Sequence, residues 1–222
     1  MKRYYKKFLA CLIIYLVFFS HIFLYSQTKI FLARHGQTNW NREGRIQGWT
    51  DTELNEIGKK QAQTLFSYLK QENIKVIYTS TLKRTIQTAE PFAKRTSIPI
   101  RNIKELREMN MGVLQGHLNS EPEVRKELNL MKKNLNYRVS NGESYIDFYR
   151  RVSALMERIL KKHRNETILI IGHNGTNSMI LAYLLNIPLE KAIRIYQPNN
   201  LVFTIFLLPG QKSPTVIWKY LK

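Results

Sequence analysis

The chain has 222 residues, 44% of them apolar, and a formal net charge of +19. Its one cysteine, Cys11, lies near the N-terminus, so residues 27–222 hold no disulfide framework, no cysteine nucleophile and no cysteine-based zinc site. Lysines and arginines occur as scattered pairs such as Lys59-Lys60, Lys132-Lys133 and Arg150-Arg151. These read as solvated basic faces that attract phosphorylated small molecules, and no nucleic-acid partner is expected.

Residues 1–26 differ from the rest. Lys2, Arg3, Lys6 and Lys7 precede an almost unbroken apolar run from Phe8 to Tyr25. A charged segment followed by an apolar one predicts a signal peptide over 1–26, cut after Ser26, with the domain over 27–222 exported to the periplasm or the extracellular space. The alternative is an uncleaved membrane anchor, since a run of this length just suffices to span a bilayer. Only Ser26, Gln27 and Thr28 would then separate bilayer from first strand, a reach of about 11 Å. That short reach favours cleavage.

Lys29 to Ala33 reads as the first strand. Asn55 is a candidate helix cap, with Ile57, Ala62, Leu65, Phe66 and Leu69 on one face after it. A strand is expected over Lys75 to Thr79, and a helix over Leu82 to Lys94 that Pro91 would bend or shorten. Pro99 to Asn102 reads as a short strand. Residues 117–140 are polar and read as one helix and a loop, the place for a lid or specificity segment. The clearest helix is 144–163, where Ser144 and Asp147 form a capping box and the aromatic stripe Tyr145, Phe148 and Tyr149 reads as core packing. A strand over Thr167 to Ile171, a helix over Thr176 to Leu185 and strands over 201–208 and 216–221 complete the chain. Alternating strands and helices predict an α/β fold, a three-layer α/β/α sandwich with a mostly parallel central sheet.

Three of the strands end in chemistry. Arg34 and His35 follow the first, Arg84 lies just beyond the second, and His173 follows the strand at 167–171. Ligands bind at the carboxyl ends of the strands in an open parallel sheet. Two arginines and two histidines gathered there suit a phosphoryl group, with guanidinium forks for the oxygens and an imidazole to attack phosphorus. No acidic cluster suggests a metal site.

Arg34-His35-Gly36, extended by Thr38, Trp40 and Asn41, resembles the hallmark of the histidine phosphatase superfamily, also called the phosphoglycerate mutase-like family. Further segments follow in that family's order. Ile46 to Gly58 is similar to its loop and helix start, Leu106-Arg107-Glu108 with Gly112 and Gln115-Gly116 to its acid-bearing loop, and Asn141 to Ser144 to the turn before its long helix. The resemblance covers roughly residues 29–208. Two positions depart from it: Asn174-Gly175 stands where Gly-Gly is common, and Ser178 where an Arg is common.

The resemblance implies that His35 is the nucleophile and becomes a phosphohistidine, with Gly36 giving the phosphate room. Arg34 and Arg84 would clamp the oxygens, and His173 would hydrogen-bond them. Asn41 and Gln47 would add neutral hydrogen bonds, unless they merely cap loops. Glu108 would be the proton donor and acceptor, with Glu105 and Glu143 as rivals. His117 and His163 read as surface residues. The expected activity is a metal-independent phosphatase that hydrolyses small phosphate monoesters and uses no cofactor. The alternatives are a phosphoglycerate mutase-type phosphotransferase, which Gln115-Gly116 resembles, and a silent membrane-tethered phosphate-binding protein.

Overall fold

The structure, a computed structural model, describes residues 27–208 and 213–221. The signal peptide or anchor expected over 1–26 lies outside the described residues. Among the described residues no helix is long and apolar enough to cross a membrane.

The strands β1 (Thr28–Arg34), β2 (Ile74–Ser80), β3 (Ile100–Ile103), β4 (Thr167–Gly172), β5 (Leu201–Leu207) and β6 (Thr215–Tyr220) form one sheet in the order β3-β2-β4-β1-β5-β6. The pairs β3·β2, β2·β4 and β4·β1 are parallel, while β5 and β6 add antiparallel strands beyond β1. The inner parallel strands β1, β2 and β4 are buried on both faces, which is why they read as largely apolar runs, whereas the edge strand β3 exposes Arg101 and Asn102.

Side chains alternate between the two faces of the sheet. Phe31, Ile77, Leu169 and Ile171 pack on α2 (Glu56–Leu69) and α3 (Lys83–Arg95), through Leu65, Leu69, Ala89 and Phe92. Ile30, Leu32, Val76, Ile168 and Ile170 pack on α5 (Tyr145–Lys162) and α6 (Asn174–Leu185), through Phe148, Val152, Met156 and Ile180. Three layers result, as expected. Each large apolar side chain so buried contributes roughly 1.5–3 kcal/mol.

Several local expectations change. The helix carrying Pro91 is not shortened, since α3 runs to Arg95. The polar stretch 117–140 does contain one helix, as expected, α4 (Pro122–Lys133), whose Val124, Leu128 and Met131 face the core at helical spacing. Two short helices, α1 (Asn39–Glu43) and α7 (Leu189–Ala192), were not expected. His163 is not a surface residue. It is 6% exposed, with Nε2 2.7 Å from the Tyr78 hydroxyl and Nδ1 2.6 Å from Glu166 Oε2. His117 is exposed, as expected, and pairs with Glu121.

Candidate active site

Adjacent parallel strands β1 and β4 end side by side, with Arg34 opposite Gly172. The next residues, His35 and His173, therefore meet, their ring centroids 5.1 Å apart. Arg84 arrives from the first turn of α3, which follows β2.

His35 Nδ1 is 2.7 Å from its neighbour's carbonyl, Gly36 O. A carbonyl only accepts, so Nδ1 carries the proton and Nε2 keeps its lone pair. Among the described residues Nε2 has no hydrogen-bond partner. Burial holds the His35 pKa well below its ordinary value, and the guanidiniums of Arg84 and Arg34 push it further down. The ring is therefore neutral at neutral pH.

His173 is buried and depressed in the same way, by burial first and then by Arg84. Both its nitrogens are occupied. Nδ1 accepts from Arg84 Nε at 3.2 Å, and Nε2 donates to Ser80 Oγ at 2.9 Å. The expected bond to transferring oxygens requires one of these to be given up.

Arg84 is fully buried and also donates to Gly48 O and Thr50 O, both at 2.8 Å. It pins the loop that follows Gln47. Burial lowers its pKa to about 10, so it stays charged. Arg34 donates through Nη1 to Gln197 O at 2.9 Å, while its buried Nε has no partner. An unsatisfied buried donor costs about 1–3 kcal/mol, more for a charged group. An anion offsets that cost.

Asn41 and Gln47 are both tethered by their oxygens. Asn41 Oδ1 accepts from the Thr38 N–H at 3.1 Å, closing a capping box on α1. Gln47 Oε1 accepts from Thr38 Oγ1 at 3.1 Å and Thr52 Oγ1 at 2.5 Å. The two side-chain amide NH2 groups have no hydrogen-bond partner among the described residues, and both residues line the cavity. Asn41 thus caps α1 with its oxygen and also lines the cavity. Thr38, fully buried between them, is the positioning residue that sequence reasoning used only as a motif letter.

Glu108 lies across the cavity. Its Oε1 accepts from its neighbour's amide, Met109 N, at 2.9 Å, and its Oε2 from Gly175 N at 3.0 Å, in the first turn of α6. A Cβ at Gly175 would collide with this carboxylate, so of the pair Asn174-Gly175 it is the glycine that the site requires. Gly36 has a packing reason beside the one expected: a Cβ there would strike the backbone of Gly58 at the start of α2. The rival carboxylates are used elsewhere, Glu105 on Arg158 and Glu143 on Arg151.

Arg34, His35, Asn41, Gln47, Arg84 and Glu108 together line a cavity of about 290 Å³. His173 backs it through Arg84. Beyond these groups the walls are mixed, with Met109, Met111, Leu128, Phe148, Met179 and Ile193 beside the polar Arg45, Asn119, Tyr145, Asn174 and Ser178. Among the described residues no group of three or more His, Cys, Asp or Glu side chains is arranged to hold a metal ion.

A profile of the histidine phosphatase superfamily (branch 1) matches residues 30–219. The chain is 31% identical over 198 residues to phosphoglycerate mutase-like protein 4 of Arabidopsis thaliana, covering 86% of this chain and 84% of that one. It is 33% identical over 168 residues to phosphoserine phosphatase 1 of Hydrogenobacter thermophilus, covering 73% and 79%. The alpha-ribazole phosphatase from Shigella flexneri superimposes with a TM-score of 0.74 at 27% identity, covering 87% and 95%.

Proposed function

On the premise that this chain belongs to the histidine phosphatase superfamily and is a phosphomonoesterase, we propose how its residues divide the reaction. The neutral His35 Nε2 attacks phosphorus, forming an N–P bond as the P–O bond to the alcohol breaks. Glu108 gives its proton to the departing oxygen. The carboxylate so formed then takes a proton from water, whose oxygen attacks the phosphohistidine. The N–P bond breaks, inorganic phosphate leaves, and His35 is neutral again.

Phosphoryl transfer needs positioning and charge stabilisation more than covalent help. Arg34 and Arg84 supply the positive charge in a buried setting, where it acts strongly. Asn41 and Gln47 donate neutral hydrogen bonds, and His173 holds Arg84 in place. The observation that carries this reading is the single free ring nitrogen, His35 Nε2, beside two buried guanidiniums.

Met109, Met111, Leu128 and Ile193 give the cavity an apolar side that suits an alcohol with a non-polar portion. Gln115, the residue that resembles the mutases, accepts from Trp49 N at 2.5 Å and serves the loop. The basic-then-apolar N-terminus further supports export of the domain, or anchoring if that segment stays uncleaved. Intact-mass measurement on protein from the native host decides between them.

The mechanism is tested by mixing residues 27–222 briefly with labelled ester and quenching in alkali, where phosphohistidine survives. Label is expected on the wild type and absent from His35→Ala. Label persisting in that variant would place the nucleophile elsewhere.

A further inference from the structure

The catalytic cavity continues into a second, shallower hollow of about 570 Å³, with Asn174 and Ile193 lining both. Its walls carry Lys132, Lys133 and Arg194, and no carboxylate lines it. All three cations are exposed, and none has an ion-pair or hydrogen-bond partner among the described residues. Arg45, the further cation at the catalytic cavity, is different: Glu43 compensates it at 2.7 Å.

Lysines at a helix C-terminus have an ordinary explanation. They complement the partial negative charge of the helix end, by about 0.3–1 kcal/mol. That accounts for Lys132 and Lys133 at the end of α4. It does not account for Arg194, which comes from beyond α7 and faces the same hollow. Three like charges converging without a counter-charge repel one another, and an anion between them relieves that repulsion.

The path from one region to the other runs along α4. Leu128 lines the catalytic cavity, and Lys132, one helical turn further on, lines the hollow. With Leu128 and Ile193 as its apolar walls and Asn174 as a polar one, the route is mixed at its centre and basic at its far end. We propose that the hollow binds a second anionic group of the substrate. The substrate class is a phosphate monoester whose alcohol has a non-polar body ending in a phosphate or carboxylate. This rests on the phosphatase reading above and specifies its substrate.

The test uses α,ω-alkanediol bisphosphates of three, six and ten carbons beside the matching alkyl monophosphates, at about 0.15 M salt, where distant charges are screened. The quantity read is the ratio of kcat/KM for bisphosphate to monophosphate at each length, halved for the two equivalent ends. At three carbons the ratio is expected near one, and at a longer spacer it is expected to rise to about tenfold. Lys132→Ser/Lys133→Ser/Arg194→Ser should return it to near one. Lys70→Ser/Lys162→Ser/Arg164→Ser, which removes the same charge at the opposite end of the sheet, should leave it raised.

A ratio that is flat with length, highest for the shortest bisphosphate, or equally reduced by both triple variants would overturn the distal site while leaving the phosphatase reading intact. Absence of phosphate release from every ester would overturn both. A ten-carbon carboxyalkyl phosphate distinguishes the two anions: preference for it equal to that for the bisphosphate assigns the hollow to either group, and preference for the bisphosphate alone assigns it to phosphate.

Discussion

The protein buries histidine at both ends of its sheet, with opposite outcomes. At the carboxyl end, His35 has guanidiniums for neighbours and one ring nitrogen without a partner. At the amino end, His163 has a carboxylate and a phenol, Glu166 and Tyr78, one on each nitrogen. Burial and hydrogen bonding are common to both. What separates a reactive imidazole from a structural one here is the free lone pair and the sign of the charge beside it. His173 stands between the two cases: it has the cationic surroundings of His35, yet both of its nitrogens are bound.

The contrast is broken most directly by exchanging function for stability. His35→Asn should lower phosphate release on the order of 10⁴-fold or more and leave the fold intact by circular dichroism. His163→Asn should retain the rate per folded molecule. Comparable loss of activity in both variants would abolish the distinction.

Glu108→Gln sharpens the same contrast from the acid side. Alkyl phosphates should slow by about 10²–10⁴-fold, whereas nitrophenyl phosphate, whose leaving group needs little protonation, should slow far less. Equal slowing of both esters assigns Glu108 to holding Gly175 rather than to proton transfer.

Acid should act on the carboxyl end through its two histidines. His35 and His173 have depressed pKa values in the folded state, so below about pH 6.5 the unfolded chain binds protons that the folded one refuses. Stability is therefore lost as pH falls below 6.5, at about 1.4 kcal/mol per pH unit for each histidine, until the folded pKa is reached. Denaturant titrations at pH 7 and pH 5 should show a smaller acid loss for His35→Asn/His173→Asn than for the wild type. The smallest effect is expected from Tyr78→Phe, which strips His163 Nε2 of its partner. It should cost about 1 kcal/mol in stability, with unchanged turnover of the folded enzyme.

The reactive end was legible because its residues follow apolar, β-branched runs that can only be strands, and Arg84 sits in a helix start one turn beyond another. The amino end was not. His163 is flanked by Lys162 and Arg164, which look like a solvated surface, while its burial depends on Tyr78, 85 residues away. The short helices α1 and α7 have too few residues to show a period, though Thr38 and Asn41 carry the capping signal. A helix was expected within 117–140, but its bounds were not, since lysines and glutamates dilute the apolar triplet Val124, Leu128 and Met131 of α4. The requirement for Gly175 depends on where a distant carboxylate docks, and no local pattern announces that.

The place of β1 has a consequence for how activity is acquired. It is the first strand of the sheet to be made and lies inside it, and both of its neighbours, β4 and β5, are made late in the chain. Loops of that length must close before the central pairings reward them, which makes folding slow and leaves β1 unpaired during synthesis. A nascent chain that has not yet produced residues 167–207 therefore has His35 but neither the facing imidazole nor the strand ladder that aims it. Turnover therefore requires the chain at least through β5, and its appearance during refolding times the pairing of β1 with β4 and β5.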